Sequence, residues 1–329
     1  MENQNTIILL SLHQSRVLPE FREELLAAGM GREVLITMDK AEIEPYVDRI
    51  EIGMGDLPFA LLPEMPNLKW LQLWSAGADF LLQRFPEAKA LPFQLTITTG
   101  IHSQQIAEHL FAMLLSWKRR LPDAFAAQRR REWLFISDRK LASLKGKTML
   151  ILGYGTIGGT VARIAGSFGM KVIGLRRNPA ANAGDNDGAA ARIESAANLH
   201  ALLPDADHVV NILPATDDTR HCFGAAEFAL MKPSALYINI GRGVTTDEAA
   251  LIEALRSKQI AGALLDVVET EPLPAESPLW DLDNLLLTGH YAGCHPEYSR
   301  MAMDIALENL GRYNRGEPLK NTVDKERGY

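Results

Sequence analysis

Two sets of side chains in this sequence have the types and spacing that chemistry needs. The first is Thr148-Met149-Leu150-Ile151-Leu152-Gly153-Tyr154-Gly155-Thr156-Ile157-Gly158-Gly159, an apolar strand running into spaced glycines. Gly153 is expected to permit a tight turn, Gly155 to let a pyrophosphate approach the backbone, and Gly158 to let the next helix pack on the strand. A helix starting near Thr156 would aim its N–H groups and positive dipole end at that pyrophosphate. The following strand-like run, Lys171-Val172-Ile173-Gly174-Leu175, ends at Arg176-Arg177 rather than at a carboxylate. A carboxylate there would accept hydrogen bonds from an unmodified ribose 2′-OH and repel a phosphate, whereas guanidinium groups bind phosphate as a planar fork. The turn therefore predicts a nicotinamide dinucleotide, and the arginines predict NADP(H) over NAD(H), with NAD(H) still possible.

The second set is ionisable. Arg242 sits in Ile238-Asn239-Ile240-Gly241-Arg242-Gly243, Glu271 in Asp266-Val267-Val268-Glu269-Thr270-Glu271-Pro272, and His290 in Leu286-Leu287-Thr288-Gly289-His290. Each follows an apolar run, and the three runs are consecutive. In an open parallel sheet the ligand crevice lies outside the carboxyl ends of the strands, so all three are expected to face one site. Singly, each has a plainer reading: Arg242 as a surface ion pair, Glu271 as a helix cap, His290 as a hydrogen-bonded core histidine. Their order along the chain favours the shared site. His102, His109 and His295 compete with His290, but none follows a late parallel strand. His109 lies inside a long helix, and the other two lie on loops.

The elements that must position these residues alternate in type. In the first hundred residues, strand-like runs at 6–12, 33–37, 68–73 and 94–98 accompany a helical stretch at 19–28 and an apolar run at 59–62. Ser103 is expected to cap a long apolar-periodic helix, 103–117. A second unit begins near Leu144, with strands at 148–152, 171–175, 207–213, 235–240, 261–267 and 284–288 and helices between them. That alternation predicts a parallel, doubly wound α/β sheet. Residues 179–191, rich in Ala, Gly, Asn and Asp, read as a surface loop placed to close over the adenosine end. The final helix, 296–313, can pack back on the first unit, which makes that domain discontinuous: 1–101 with 296–329, around 102–295.

The whole chain bounds the function classes. At 329 residues it predicts two domains, and a net charge of −7 offers no basic field for nucleic acid. Lys118-Arg119-Arg120 and Arg129-Arg130-Arg131 read as solvated helix faces. Two cysteines, Cys222 and Cys294, fit a reducing compartment without a disulfide framework. The apolar run 6–12 is too short to span a bilayer, so a cytoplasmic protein with no membrane partner is expected. No metal site is predicted. Trp70, Trp117 and Trp133 read as core residues, and Trp74 as core or as a wall of a substrate turn.

Further stretches carry a resemblance. Trp74-Ser75-Ala76-Gly77-Ala78-Asp79, Ile106-Ala107-Glu108-His109, Leu144-Lys145-Gly146-Lys147-Thr148, Leu213-Pro214-Ala215-Thr216, Met231-Lys232 through Gly243 and Leu265 through Pro274 occur in order. With the glycine turn and the ionisable trio, they make the chain resemble the D-isomer-specific 2-hydroxyacid dehydrogenase family over nearly its whole length. The resemblance implies a Rossmann dinucleotide-binding domain inserted into a flavodoxin-like substrate domain. It implies reduction of a small 2-keto acid of the glyoxylate or hydroxypyruvate type to the D-2-hydroxy acid. His290 would be the general acid, Glu271 would orient it and favour imidazolium, and Arg242 would grip the substrate carboxylate or carbonyl. Trp74, Ala76 and Gly77 would line the substrate, the last two through backbone N–H groups. Gly153, Tyr154, Gly155, Thr156, Ile157, Gly158, Arg176, Arg177, Leu213, Pro214, Ile240, Gly241 and Asp266 would line the cofactor, Asp266 at the nicotinamide carboxamide.

Two departures accompany it. Gly289 stands where the family commonly has proline, which predicts a looser turn at His290, and Arg176 replaces the usual acidic residue. A homodimer is expected through the helix 103–117 and the arm reaching Trp133. Alternatives are a cofactor-sensing binding protein similar to corepressors of this fold, and an NAD-linked dehydrogenase of the same family. No regulatory domain is expected after residue 320.

Overall fold

Continuous apolar runs in this chain become strands buried on both faces, the signature of parallel sheets. The computed structural model describes residues 5–138, 141–179 and 189–328. Most of the expected 179–191 loop lies outside the described residues. The chain forms two compact units, Met1–Ile101 with His295–Tyr329, and His102–Cys294.

The first unit holds β1 (Ile7–Ser11), β2 (Glu33–Ile36), β3 (Ile50–Gly55), β4 (Trp70–Gln72) and β5 (Gln94–Thr96), all parallel, in the order β2-β1-β3-β4-β5. This is the flavodoxin-like order. Strand β3 was not foreseen, because Glu51 and two glycines interrupt its apolar pattern. Glu51 is nonetheless buried, with Arg32 Nε 3.2 Å from one oxygen and Tyr313 OH donating to the other at 2.7 Å. Burial would raise its pKa, but these hydrogen bonds and the Arg32 charge outweigh it and hold the carboxyl at about 2. The helix Tyr298–Asn314 packs on this sheet: Asn309 donates to Gln72, Asn314 accepts from Arg32, and Tyr313 stacks on Trp70. The apolar run 59–62 is helical, part of a 3-10 turn at Phe59–Glu64.

The second unit holds β6 (Thr148–Leu152), β7 (Lys171–Arg176), β8 (Arg192–Ser195), β9 (His208–Asn211), β10 (Leu236–Asn239), β11 (Gly262–Leu265) and β12 (Leu285–Leu287). All pair in parallel in the order β12-β11-β10-β9-β6-β7-β8. Strand order reverses between β6 and β9, so the dinucleotide crevice of such a sheet lies at their carboxyl ends. Strand β8 was also missed: Arg192-Ile193-Glu194-Ser195 is a short, polar edge strand.

Three local expectations need correcting. The helix Ser103–Lys118 is capped by His102, with Ser103 already its first residue and the hydroxyl buried without a hydrogen bond. Trp133 is not core: it is 99 % exposed, on an irregular stretch that brings no element to cover it. Trp117 is only partly buried, its ring occupying the space above Gly262.

Candidate active site

The glycine turn after β6 forms as its residues require, with one exception. Gly153 has φ +85, and a Cβ there would lie 2.9 Å from the Ile212 carbonyl oxygen, so no other residue fits. Gly155 precedes the helix Thr156–Ser167, and a Cβ on it would meet no atom within 4 Å. That space, beside helix N–H groups that lack intrahelical partners, suits a pyrophosphate. At Gly158 the nearest atoms to a Cβ would be 3.4 Å away, so its closeness to the strand is ordinary contact rather than a requirement. Thr156 is exposed and Ile157 half-buried. The Tyr154 side chain is buried against Gly174, so only its backbone can serve a cofactor.

Arg176 closes β7 and is anchored beneath the turn. Its Nε donates to the Tyr154 carbonyl, and its guanidinium lies 5.4 Å from the Tyr154 ring centre. Arg177 is exposed and faces Asp218 at 3.2 Å. The residues present therefore fit a dinucleotide: an open glycine cradle, then two guanidinium groups where the adenosine ribose of this fold lies.

Loops after β9 and β10 carry Leu213, Pro214, Ile240 and Gly241, and an unforeseen buried network holds them. Asn211 and Asn239 end their strands, and each Oδ1 accepts an N–H two residues on, from Leu213 and Gly241, both at 3.0 Å. Their amide nitrogens donate inward, Asn211 to Tyr237 OH and Thr245 Oγ1, Asn239 to Thr246 Oγ1 and the Arg242 carbonyl. Tyr237 OH and Thr246 Oγ1 lie 2.6 Å apart, and burial raises the Tyr237 pKa. Thr245 Oγ1 donates to the Arg242 carbonyl at 2.6 Å. Arg242 is thus set on a fully satisfied polar platform. The signal was present as a shared Asn-Ile pair at the ends of two short buried strands, at 211–212 and 239–240.

The structure brings Glu271 and His290 into contact and sets Arg242 near enough for its charge to act on the imidazole. His290 Nδ1 lies 2.6 Å from Glu271 Oε2, and Glu271 Oε1 accepts the Val268 N–H at 3.1 Å. The hydrogen bond His290 donates to Glu271 raises the His290 pKa, burial opposes it, and the charges of Glu271 and Asp266 raise it while that of Arg242 lowers it. With Nδ1–H given to Glu271, the transferable proton of the imidazole is the one on Nε2. Arg242 Nη1 donates to the Gly241 carbonyl at 2.9 Å. Gly243 next to it cannot be replaced, because a Cβ would sit 1.9 Å from the Val268 carbonyl oxygen.

The turn at His290 is not loose, although Gly289 precedes it. His290 has φ +55, and Asp266 holds the turn on four hydrogen bonds. Its carbonyl accepts the His290 N–H at 2.7 Å, and its carboxylate accepts the Thr288 hydroxyl and the N–H groups of Tyr291 and Ala292. Asp266 is 2 % exposed, so its visible task is to fix that turn. His109 supports it from behind, 2.9 Å from Thr288 Oγ1 and 3.6 Å from Asp266 Oδ1. His102 is buried beside the Gly293 carbonyl, and His295, half-buried as a residue with its side chain turned in, lies beside Glu297.

In the first unit, Trp74 needs correction as a substrate wall: its side chain is fully buried in the core, where Met303 and Leu310 belong to the same cluster. Only its carbonyl faces the turn, accepting from Thr98 and Tyr298 hydroxyls. Ala76 and Gly77 are half-buried, and Ser75 Oγ donates to the Gly77 carbonyl at 2.6 Å. No described residue accepts their N–H groups, which suits a carboxylate.

Known proteins are similar to this chain in sequence and fold. Residues 111–292 match the family described as D-isomer specific 2-hydroxyacid dehydrogenase, NAD binding domain. The chain is 36% identical to a glyoxylate reductase of Aeropyrum pernix, over 92% of this chain and 86% of that protein. It superposes on a D-isomer specific 2-hydroxyacid dehydrogenase family protein of Aeromonas salmonicida with TM-score 0.83 and 34% identity, covering 98% and 100% of the two chains. An NADPH-dependent glyoxylate/hydroxypyruvate reductase of Sinorhizobium meliloti, solved with NADP and sulfate, gives TM-score 0.79 and 30% identity, covering 98% and 100%. Fold, glycine turn and relatives agree, and the chain belongs to the D-isomer specific 2-hydroxyacid dehydrogenase family of oxidoreductases.

Proposed function

We propose that this enzyme reduces a small 2-keto acid, of the glyoxylate or hydroxypyruvate type, to the D-2-hydroxy acid using NADPH. Bound NADPH would supply the hydride. His290, protonated and oriented by Glu271, gives its Nε2 proton to the carbonyl oxygen. Arg242 holds the carboxylate or carbonyl as a charged fork. The 2.6 Å contact between His290 and Glu271 carries the reading. The cofactor preference rests on Arg176 and Arg177, and the Sinorhizobium meliloti relative described with NADP supports it. The substrate class rests on the relatives' names and on the trio's chemistry.

Mixing the protein with NADPH and glyoxylate, hydroxypyruvate or phenylpyruvate should bleach the reduced-nicotinamide absorbance. No turnover across that panel overturns the reading. Arg176→Asp should raise KM for NADPH more than for NADH; equal changes remove the assigned phosphate contact.

A homodimer belongs to the same proposal. Leu121, Phe125, Trp133, Leu134 and Phe135 all expose apolar surface within one short stretch, more than a monomer ordinarily leaves in water. Light scattering at micromolar concentration should give twice the mass of 36.3 kDa; a monomer mass sinks this part.

A further inference from the structure

The loop that carries Glu271 carries a second glutamate with a histidine of its own. Glu269 Oε1 lies 2.7 Å from His221 Nε2 and 3.3 Å from Arg220 Nη2. The Glu269 N–H donates to Glu248 Oε2 at 3.0 Å. Arg220 and His221 are themselves tied to the loop after β10, since the His221 N–H donates to the Val244 carbonyl at 2.9 Å and the Phe223 N–H to Thr245 at 3.2 Å. The Glu269 carboxylate therefore joins the loops following β9 and β11, and the backbone of His221 and Phe223 ties the first of these to the loop after β10. Two residues on, Glu271 has few holds of its own: beyond His290, its carboxylate takes only the Val268 N–H among the described residues.

We propose that Glu269 is a positioning residue, whose clamp on Arg220 and His221 fixes the segment 268–271 and so fixes where Glu271 holds the His290 ring. This rests on the reading of His290 as proton donor. A partly exposed ion pair adds little to stability. Its effect is expected in geometry, where a shift of about 1 Å can cost a large rate factor. The groups facing His290 are Glu271, Arg242 and Asp266, with His109 behind Asp266; those facing Glu269 are Arg220, His221 and Glu248. Loosening Glu271 removes the largest influence that raises the His290 pKa.

The test is the pH profile of kcat for keto-acid reduction by the full-length enzyme. Glu269→Ala should lower kcat about tenfold, leave KM for NADPH within about twofold, and move the alkaline limb to lower pH. Glu269→Gln, which keeps an acceptor for Arg220 and His221, should restore most of the rate. Arg220→Ala with His221→Ala, cutting the clamp from its other side, should move the limb the same way. A limb that stays in place in both Glu269→Ala and the double variant overturns the proposal. Glu271→Gln and His290→Gln separate this from the parent reading: if neither changes rate or profile, the proton-donor assignment falls and the clamp with it. If both do while Glu269→Ala matches wild type, only the clamp falls.

Discussion

At the residue scale, the glycines and the histidine make opposite demands on their surroundings. Gly155 leaves empty space, so Gly155→Ala should fold with an unchanged melting temperature yet bind NADPH more weakly. A drop in melting temperature with NADPH affinity intact would mean the space serves packing instead. His290 donates its Nδ1 proton in a hydrogen bond to Glu271, and the pKa this raises keeps the imidazolium present to higher pH than an ordinary histidine allows. Reduction consumes that proton, so its rate falls as pH rises through the His290 pKa. Glu271→Gln lowers that pKa, moving the alkaline limb toward acid and cutting kcat by about 10²-fold. A steady-state profile whose limb does not move would remove Glu271 from the pair.

At the scale of elements, sheet order decides what the side chains can reach. Consecutive strands β10, β11 and β12 deliver Arg242, Glu271 and His290 to one end of the sheet, and this much was legible from apolar runs ending at ionisable residues. The platform beneath Arg242 was not, because an asparagine after a strand reads equally as a solvated turn. Asn239→Ala leaves the Gly241 N–H without its acceptor and takes one donor each from the Thr246 hydroxyl and the Arg242 carbonyl, and should cost about 1–3 kcal/mol in urea unfolding. A variant as stable as wild type would show that water replaces the amide. Other misreadings share one cause, that tertiary partners decide burial. Glu51 hides in β3 because Arg32 and Tyr313 meet it, Trp133 lies outside because no described residue covers it, and Trp74 is taken into the core beside the turn it precedes. The looseness expected at Gly289 failed for the same reason, since Asp266 lies far away in sequence and supplies the stiffness.

At the scale of the whole molecule, two buried ionisable groups should weaken the fold as pH falls. His208 on β9 is fully buried with neither ring nitrogen hydrogen-bonded, and desolvation, with Lys118 nearby, depresses its pKa to about 3. The unfolded chain binds this proton near the ordinary 6.5, so stability is full above that and drains as pH falls from 6.5 toward 3. Glu51, held at about 2 against an ordinary 4.5, adds stability above 4.5 that is lost as pH falls through 2. Replacing the imidazole by an apolar group of similar size, His208→Leu, should flatten the loss between pH 6.5 and 4 in urea midpoints while leaving the lower drop. Parallel curves for variant and wild type would exclude His208 as the cause.

The helix Tyr298–Asn314 has a consequence for how the chain is made. Residues 102–294 are contiguous, so that unit can finish as soon as they leave the ribosome. The sheet of the first unit, although translated before residues 102–294, must wait: Asn309 and Tyr313, which satisfy Gln72 and Glu51, are synthesised after them. During that interval a nascent sheet with an uncovered face depends on whatever else in the cell can shield it. A late stall or premature stop would therefore release a molecule with a finished Rossmann half and an orphaned beginning.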